Sequence, residues 1–270
     1  MEVHSLPLNL GFCKGNNVGL NYSKGSYIVL LNNDTYVSQT WLEELVNTMD
    51  SNPSIGICQS KIVDFEGKNP LYGNILGVYG NCTVKSSSNL GDGIVEIAFY
   101  ASGTSLIIRR TVIEKVGYLF DEAQYSGDLD LSWCVHLIGL RVVTNVNSVC
   151  YHYHSYSSKI VLRNPVNVRY VVFKDLLQSY TKNYDFAFLI RRVPIFIYIG
   201  FIESLYLSIE YRSPVVYGML KGLFWNIFNL ADTWRKHVKI QLIRTTPDSS
   251  IENAMLPYPS ELYFIKQKLK

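Results

Sequence analysis

The stretch Tyr27-Ile-Val-Leu-Leu-Asn-Asn-Asp34 decides the fold. Five β-prone apolar residues run straight into two amides and a carboxylate, with Thr35 following. A continuous apolar run of this length predicts a strand buried on both faces, as in a parallel sheet covered by helices. Unpaired polar groups are costly in a packed core. Asn32, Asn33 and Asp34 are therefore expected just past the strand's carboxyl end, in the crevice where open α/β sheets bind ligands. Two readings stand. A carboxylate beside amide oxygens offers hard oxygen ligands suited to Mg²⁺ or Mn²⁺ carrying a diphosphate; alternatively, the three residues form a polar turn that caps the next helix.

Upstream, Asn9-Leu-Gly-Phe-Cys-Lys-Gly-Asn-Asn-Val-Gly19 places glycines at 11, 15 and 19. The pattern predicts a helix from about Asn16 to Lys24, with Gly25 as the residue that ends it. A glycine-rich lead into a helix can hold a phosphate on free N–H groups, although this spacing is neither a dinucleotide fingerprint nor a P-loop. Downstream, Thr40-Trp-Leu-Glu43 reads as a capping box opening a helix to about Asp50. Ile55 to Val63 reads as a strand, Asp64 to Gly93 as an irregular excursion with weak strands around 75–84, and Ile94 to Tyr100 as an alternating segment. Ser105 to Ile108 is a further strand. A second capping box at Thr111 starts a short helix closed by Gly117, a helix follows over Leu129 to Leu137, and Arg141 to Val146 returns as a strand.

The 270-residue chain is 48% hydrophobic and 17% charged, which fits a globular protein rather than a disordered one. Its net charge of +3 hides an asymmetry. Residues 1–158 hold 9 Lys+Arg against 14 Asp+Glu, and residues 159–270 hold 16 against 8. A basic, aromatic-rich second part points to an anionic partner; its long apolar runs favour a membrane surface over nucleic acid. The five cysteines form no C-x-x-C pair and read as reduced, mostly buried thiols of a cytosolic protein. Met1 to Asn9 has neither the basic start nor the apolar core of a signal peptide.

Two further clusters can carry chemistry. Asp128 and Asp130 stand at the start of a helix, where negative charge is favoured. One carboxylate suffices as a cap; a second leaves room for a base that takes a proton from a hydroxyl nucleophile. His152 and His154 follow a strand and point to one side, as a metal or phosphate contact or as a pair of partly exposed strand-end histidines.

In order and spacing these pieces resemble family 2 glycosyltransferases of the GT-A fold, in particular the rhamnosyltransferase-like group. The match spans roughly residues 9–175. It rests on Asn-Leu-Gly-Phe-x-x-Gly-Asn-Asn-x-Gly (9–19), Leu-Leu-Asn-Asn-Asp-Thr (30–35), Ala-Ser-Gly (101–103) and Ile-Ile-Arg-Arg (107–110). Val-Gly-Tyr-Leu-Phe-Asp-Glu (116–122), Asp-Leu-Asp-Leu-Ser-Trp (128–133) and Tyr-His-Tyr-His-Ser-Tyr-Ser-Ser (151–158) complete it. The resemblance implies a mixed α/β sheet of the nucleotide-diphospho-sugar transferase kind. It also implies inverting transfer of a sugar from a nucleotide-sugar to an acceptor hydroxyl, in glycan, polysaccharide or glycolipid assembly. On it, Asp34 would bind the divalent cation, Mg²⁺ or Mn²⁺, with His152 as a further metal or diphosphate contact, and Asp128 would be the general base. Gly15, Asn16, Asn17, Asn32 and Asn33 would lie along the nucleotide-sugar; Ser102, Gly103, Asp130 and Trp133 would line the sugar and acceptor pocket.

Three departures from the family pattern stand out. Asn32 replaces the first acid of D-x-D, and Gly127 stands where a Glu usually precedes the catalytic Asp. The family's opening strand–helix–strand unit, which grips the nucleotide base, has no counterpart ahead of Asn9. The resemblance thus implies an N-terminally truncated domain, expected to be poorly active alone, an upstream partner chain being one way to complete it. The rival from another class is a non-catalytic remnant or partner subunit that keeps the fold.

The pattern changes after Arg163-Asn164-Pro165, giving an expected division into 1–160 and a helical region 161–270. Val166 to Tyr180 reads as an amphipathic helix with Arg169, Lys174 and Asp175 outside. Val193 to Ile202 is uncharged and Ser213 to Ala231 holds a single lysine; both are near the lower length limit for crossing a bilayer. Interfacial helices, a spanning hairpin and the core of a homodimer all remain open. Broken apolar runs with aromatic and basic edges favour the first, placing the chain at the cytoplasmic face of the cell membrane beside lipid-linked acceptors.

Overall fold

A computed structural model of the chain describes residues 2–80, 82–84, 93–96, 99–125, 127–153 and 164–257. In chain order its first elements are α1 (Phe12–Tyr22), β1 (Tyr27–Leu31), β2 (Thr35–Val37), α2 (Trp41–Ser51), β3 (Ile55–Val63), β4 (Asn74–Leu76) and β5 (Cys82–Val84). There follow β6 (Ile94–Glu96), β7 (Ser105–Arg109), α3 (Arg110–Val116), α4 (Asp128–Leu137) and β8 (Arg141–His152). Helices α5 (Pro165–Asn183), α6 (Phe186–Glu210), α7 (Val215–Phe228), α8 (Leu230–Ile243) and α9 (Asp248–Glu252) complete the described chain. It divides into a first unit, 1–74 with 85–152, and a second, 75–84 with 153–270.

The first unit is a mixed α/β sheet in the order β1-β7-β3-β8-β2, with β6 also pairing β8. Among the described residues of this sheet β3 and β8 pair in parallel and the other pairings are antiparallel. Strand β3 is buried along nearly its whole length, as an apolar run between two helix layers must be. On one face Leu45 and Met49 of α2 pack with Ile55, Cys58, Ile107 and Val143, all fully buried. A Cβ at Gly56 would meet Val135 of α4 at 2.7 Å, so α4 covers the opposite face.

Strand β1 departs from its sequence reading. It pairs antiparallel with β7, and its burial alternates: Ile28 and Leu30 point inward, Tyr27 and Val29 are half-buried and Leu31 is exposed. Among the described residues no strand pairs with its other edge. Apolar composition alone does not separate an edge strand from a central one. Both expected capping boxes lie at helix starts without forming their side-chain bonds: Thr40 is the N-cap of α2 but makes no such bond, and Thr111 falls inside α3, whose N-cap is Arg109. Gly117 does close α3, with φ +93° and its N–H on the Ile113 carbonyl. Strand β8 continues six residues past the expected Val146 because a register irregularity between Ser60 and Lys61 lets it keep pairing with β3.

The second unit is built around α5, which packs against α6, α7 and α8. That position reverses the expected orientation of its polar residues. Lys174 is buried, paired with Asp175 at 2.8 Å and with its ammonium 4.7 Å from the centre of the Trp225 ring. From Phe173 onward the helix is buried on most of its surface, so charges there must find partners inside. Arg169 likewise pairs with Glu203 of α6 at 2.8 Å and donates to the Ser204 hydroxyl and the Gly200 carbonyl. Strands β4 and β5 form a hairpin within this unit; Val78 N–H donates to the Leu256 carbonyl and Leu256 N–H to the Leu76 carbonyl, each at 2.9 Å. Among the described residues no helix is long and apolar enough to cross a membrane.

Candidate active site

The acid expected past β1 sits in the turn from β1 to β2. Thr35 Oγ1 donates to the Asn32 carbonyl at 2.6 Å, an arrangement that tightens the turn. Strand β2 then pairs with the end of β8, setting Thr35 opposite His152. This pairing brings His152 Nε2 to 3.2 Å from Asp34 Oδ1, with the imidazole mostly covered and the carboxylate about a quarter exposed. Two residues far apart in the chain thus meet through one short strand. Cys150, two residues before His152, lies in the same neighbourhood. Burial pushes its thiol up to about 11, the Asp34 charge adding to the effect, so it stays a thiol at neutral pH.

Asn32 also fixes a second turn. Its N–H donates to the Thr104 carbonyl at 2.9 Å, extending the β1–β7 pairing by one step. The turn 102–104 is held on two further sides. Ser102 N–H donates to Gln59 Oε1 at 2.6 Å, and Gly103 N–H donates to Asp128 Oδ2 at 3.2 Å. Asp128 Oδ1 accepts from the Leu129 N–H at 3.0 Å, so both carboxylate oxygens are oriented at the first turn of α4. The turns carrying Asp34 and Asp128 are therefore tied to the same three residues. Gly103 is needed there because a Cβ would stand 2.5 Å from the Phe12 ring.

Other sequence-derived candidates fall elsewhere. Helix α1 starts at Phe12, four residues earlier than expected, and ends at Tyr22 with Ser23 as its cap, rather than at Lys24 before Gly25. Gly15 is consequently inside the helix, its N–H bonded to the Gly11 carbonyl at 3.0 Å rather than free for a phosphate. Asn16 donates to the Phe12 carbonyl of its own helix. Asn17 is a latch: its amide donates to the Phe120 carbonyl at 2.9 Å and accepts from the Phe120 N–H at 3.0 Å. Asn33 stays at the tip of the β1–β2 turn. Asp130 is buried, its charge acting on the enclosed Tyr118 hydroxyl. Trp133 is fully buried with its ring edge-on to Phe99, 5.4 Å between centres. Helix α4 is covered nearly all round, so these two residues belong to the packing beneath the site and not to an open pocket. His154 lies outside the described residues.

Sequence reasoning missed Gln59. It is completely buried; one end of its amide holds the 102–104 turn, while its Nε2 has no hydrogen-bond partner among the described residues. A signal existed, because Gln59-Ser60 interrupts an otherwise apolar buried strand.

A divalent cation can be tested against the donors present. Two ligands about 2.1 Å from one octahedral ion stand about 3 Å apart, and Asp34 Oδ1 and His152 Nε2 are separated by 3.2 Å. Among the described residues no three His, Cys, Asp or Glu side chains come together as a closed metal cage. An oxygen and a nitrogen donor at one open edge fit an ion that takes its remaining ligands from water and phosphate.

Residues 2–117 match the family described as glycosyl transferase family 2. No curated protein matches the chain at a significant level. Solved structures similar to it include GalNAc-T7 with UDP, GalNAc and Mn²⁺, at 13% identity and TM-score 0.47 over 79% of this chain and 47% of that one. A second is the mannosyltransferase PcManGT from Pyrobaculum calidifontis with GDP-Man and Mn²⁺, at 14% and 0.41 over 86% and 64%. A third is S. aureus TarS, at 16% and 0.45 over 71% and 32%. The chain spans between about a third and just under two thirds of the length of these proteins.

Proposed function

We propose, from the match of residues 2–117 to glycosyl transferase family 2 and the mixed sheet they help to form, that the chain moves a sugar from a nucleotide-sugar to an acceptor hydroxyl. The observation that carries this reading is the tie between the Asp34–His152 pair and Asp128 through residues 102–104. Asp34 and His152 would hold a divalent cation, Mg²⁺ or Mn²⁺, at the donor's diphosphate. When bound, such an ion offsets the charge that builds on the leaving nucleotide. Asp128 would take the proton from the acceptor hydroxyl. Its two backbone N–H contacts fix the carboxylate's direction at the first turn of α4, and a carboxylate held this way would serve as the base. Attack by the acceptor oxygen in a single displacement inverts the anomeric carbon. Ser102 and Gly103, in the turn tied to both acids, would border the sugar. The acceptor would be a glycan or a lipid-linked one.

The test is release of nucleoside diphosphate by the full chain from a panel of UDP-, GDP- and dTDP-sugars, with and without Mn²⁺ or Mg²⁺. We expect metal-dependent turnover of at least one donor. Asp128→Asn should lower it by about 10²–10⁴-fold, the usual worth of a general base, with donor binding retained. Asp34→Ala should instead weaken metal-supported donor binding. Equal turnover by wild type and Asp128→Asn would overturn the assignment. A non-catalytic family member is the second reading. It is favoured by Gly127, whose Cβ position lies 2.6 Å from the Phe120 ring and leaves no room for the family's usual Glu. Turnover of any donor above the buffer rate removes it.

A further inference from the structure

The outer surface of the second unit combines features that no sugar-transfer chemistry needs. Helix α6 is 25 residues long, and its inner side carries Glu203 and Ser204, both engaged with Arg169 of α5. Its outer side presents Ile190, Ile195, Tyr198, Ile202, Tyr206 and Ile209 at helical spacing, all exposed. Helix α7 repeats the pattern with exposed Tyr217, Leu220, Phe224, Ile227 and Phe228. Helix α8 repeats it again with Leu230, Trp234, Val238 and Leu242, four residues apart. The protrusion is large: Phe228 is 83% exposed, and Ile209 and Leu242 are each 80% exposed. Isolated exposed apolar residues need no explanation, but three successive helices that each carry a row of them do.

Charge selects the occupant. Between Phe186 and Ile243 the exposed cations are Arg191, Arg212, Lys221, Arg235 and Lys239. The exposed acid over the same span is Glu210, since Glu203 and Asp232 are partly buried and paired with Arg169 and with Arg235 and Lys236. Each cation sits within one or two residues of an exposed apolar side chain. A second copy of this chain would bring like charges together across the contact. An anionic lipid surface would neutralise them while the Tyr, Trp, Phe and Ile side chains enter the headgroup region. A helix with one polar and one apolar flank lies in a membrane interface, in keeping with the absence of a spanning helix among the described residues.

We infer that the outer face of α6, α7 and α8 binds the surface of a bilayer containing anionic phospholipid, the helices lying in the interface. The inference does not depend on glycosyl transfer, and its test needs no sugar nucleotide, so either can fail alone. The full chain is mixed with phosphatidylcholine vesicles, with or without phosphatidylglycerol, and the bound fraction measured by sedimentation. Binding should be strong to the anionic vesicles, several-fold weaker to the neutral ones and reduced by added salt. Trp234 emission should shift to the blue and be quenched by brominated lipid. Phe228→Glu with Leu242→Glu should cut binding at least tenfold with an unchanged thermal melt, because neither side chain contributes much to packing. Arg235→Gln with Lys239→Gln should weaken binding to anionic vesicles by roughly fivefold for each cation lost and leave binding to neutral vesicles as it was. No vesicle binding, equal binding to both compositions, or wild-type binding by Phe228→Glu/Leu242→Glu would overturn the inference. A dimer in solution that this same pair of substitutions abolishes, without vesicle binding, would assign the face to a second copy.

Discussion

Gly127 and Asn17 show how single positions are decided by neighbours distant in sequence. Gly127 has an ordinary backbone conformation, φ −88°, so its lack of a side chain is a matter of space rather than of dihedral freedom. Three atoms of Phe120 lie within 3.1 Å of where its Cβ would be. Gly127→Ala should therefore cost about 1–3 kcal/mol, the usual range for overpacking, and Phe120→Leu in the same chain should recover part of it. Urea unfolding of the single and double variants measures this. Asn17→Ala removes three hydrogen bonds, one of them to the Glu122 carboxylate, and leaves the Phe120 backbone groups to find other partners; a loss of about 1–3 kcal/mol is expected in the same assay. The sequence marks Asn17 as a polar residue in a glycine-rich segment, from which a ligand contact is a natural reading. That its amide instead pairs with a backbone 103 residues away is a fact of tertiary packing, and no local pattern encodes it. Asp34, Asp128 and His152 could be singled out in the sequence as titratable residues at strand ends and a helix start; that Asp34 and His152 come within 3.2 Å is again a fact of tertiary packing.

At the level of elements, what could be read was whatever rests on local periodicity. Helix α2, strand β3 and strand β7 appear close to the expected residues, because their burial patterns follow from one chain segment meeting one layer. The orientation of α5 could not be read that way. Arg169, Lys174 and Asp175 look like a wet helix face, yet α6, α7 and α8 surround the helix and the charges pair inside. Close helix approach explains the glycines of α7. A Cβ at Gly218 would stand 2.2 Å from the Val166 carbonyl oxygen, and one at Gly222 would lie 3.1 Å from backbone atoms of Tyr170 and Lys174. Gly218→Ala must push α5 and α7 apart and should cost at least about 2 kcal/mol. Gly222→Ala needs only a small adjustment and should cost under about 1 kcal/mol, because alanine's better helix propensity works in its favour. Denaturant midpoints of the two variants should differ in that order; equal midpoints would mean that the helix separation does not limit stability.

For the molecule as a whole, acid is the informative perturbation. His237 of α8 is buried against the Trp234 ring and the Thr181 carbonyl, and burial holds its imidazole below the ordinary histidine range. A histidine depressed in the folded state contributes stability that is present above its unfolded pKa of about 6.5 and lost as pH falls through the lower folded value. The melting temperature should accordingly drop as pH is taken from about 7.5 to 5, and His237→Asn should flatten part of that drop. Circular dichroism melts across the range check it; an unchanged slope in the variant would assign the acid sensitivity to other groups. The hairpin of β4 and β5 carries a different consequence. The backbone leaves its first compact unit at residue 74, contributes 75–84 to the second, and goes back before leaving for good near 152. Dissecting the gene with one cut after the sheet would leave behind the segment whose Leu76 and Val78 pair with Leu256 and whose Gly77 carbonyl receives the Tyr180 hydroxyl. The carboxyl-terminal fragment should then be soluble and cooperative only when a 75–84 peptide is grafted back or supplied in trans.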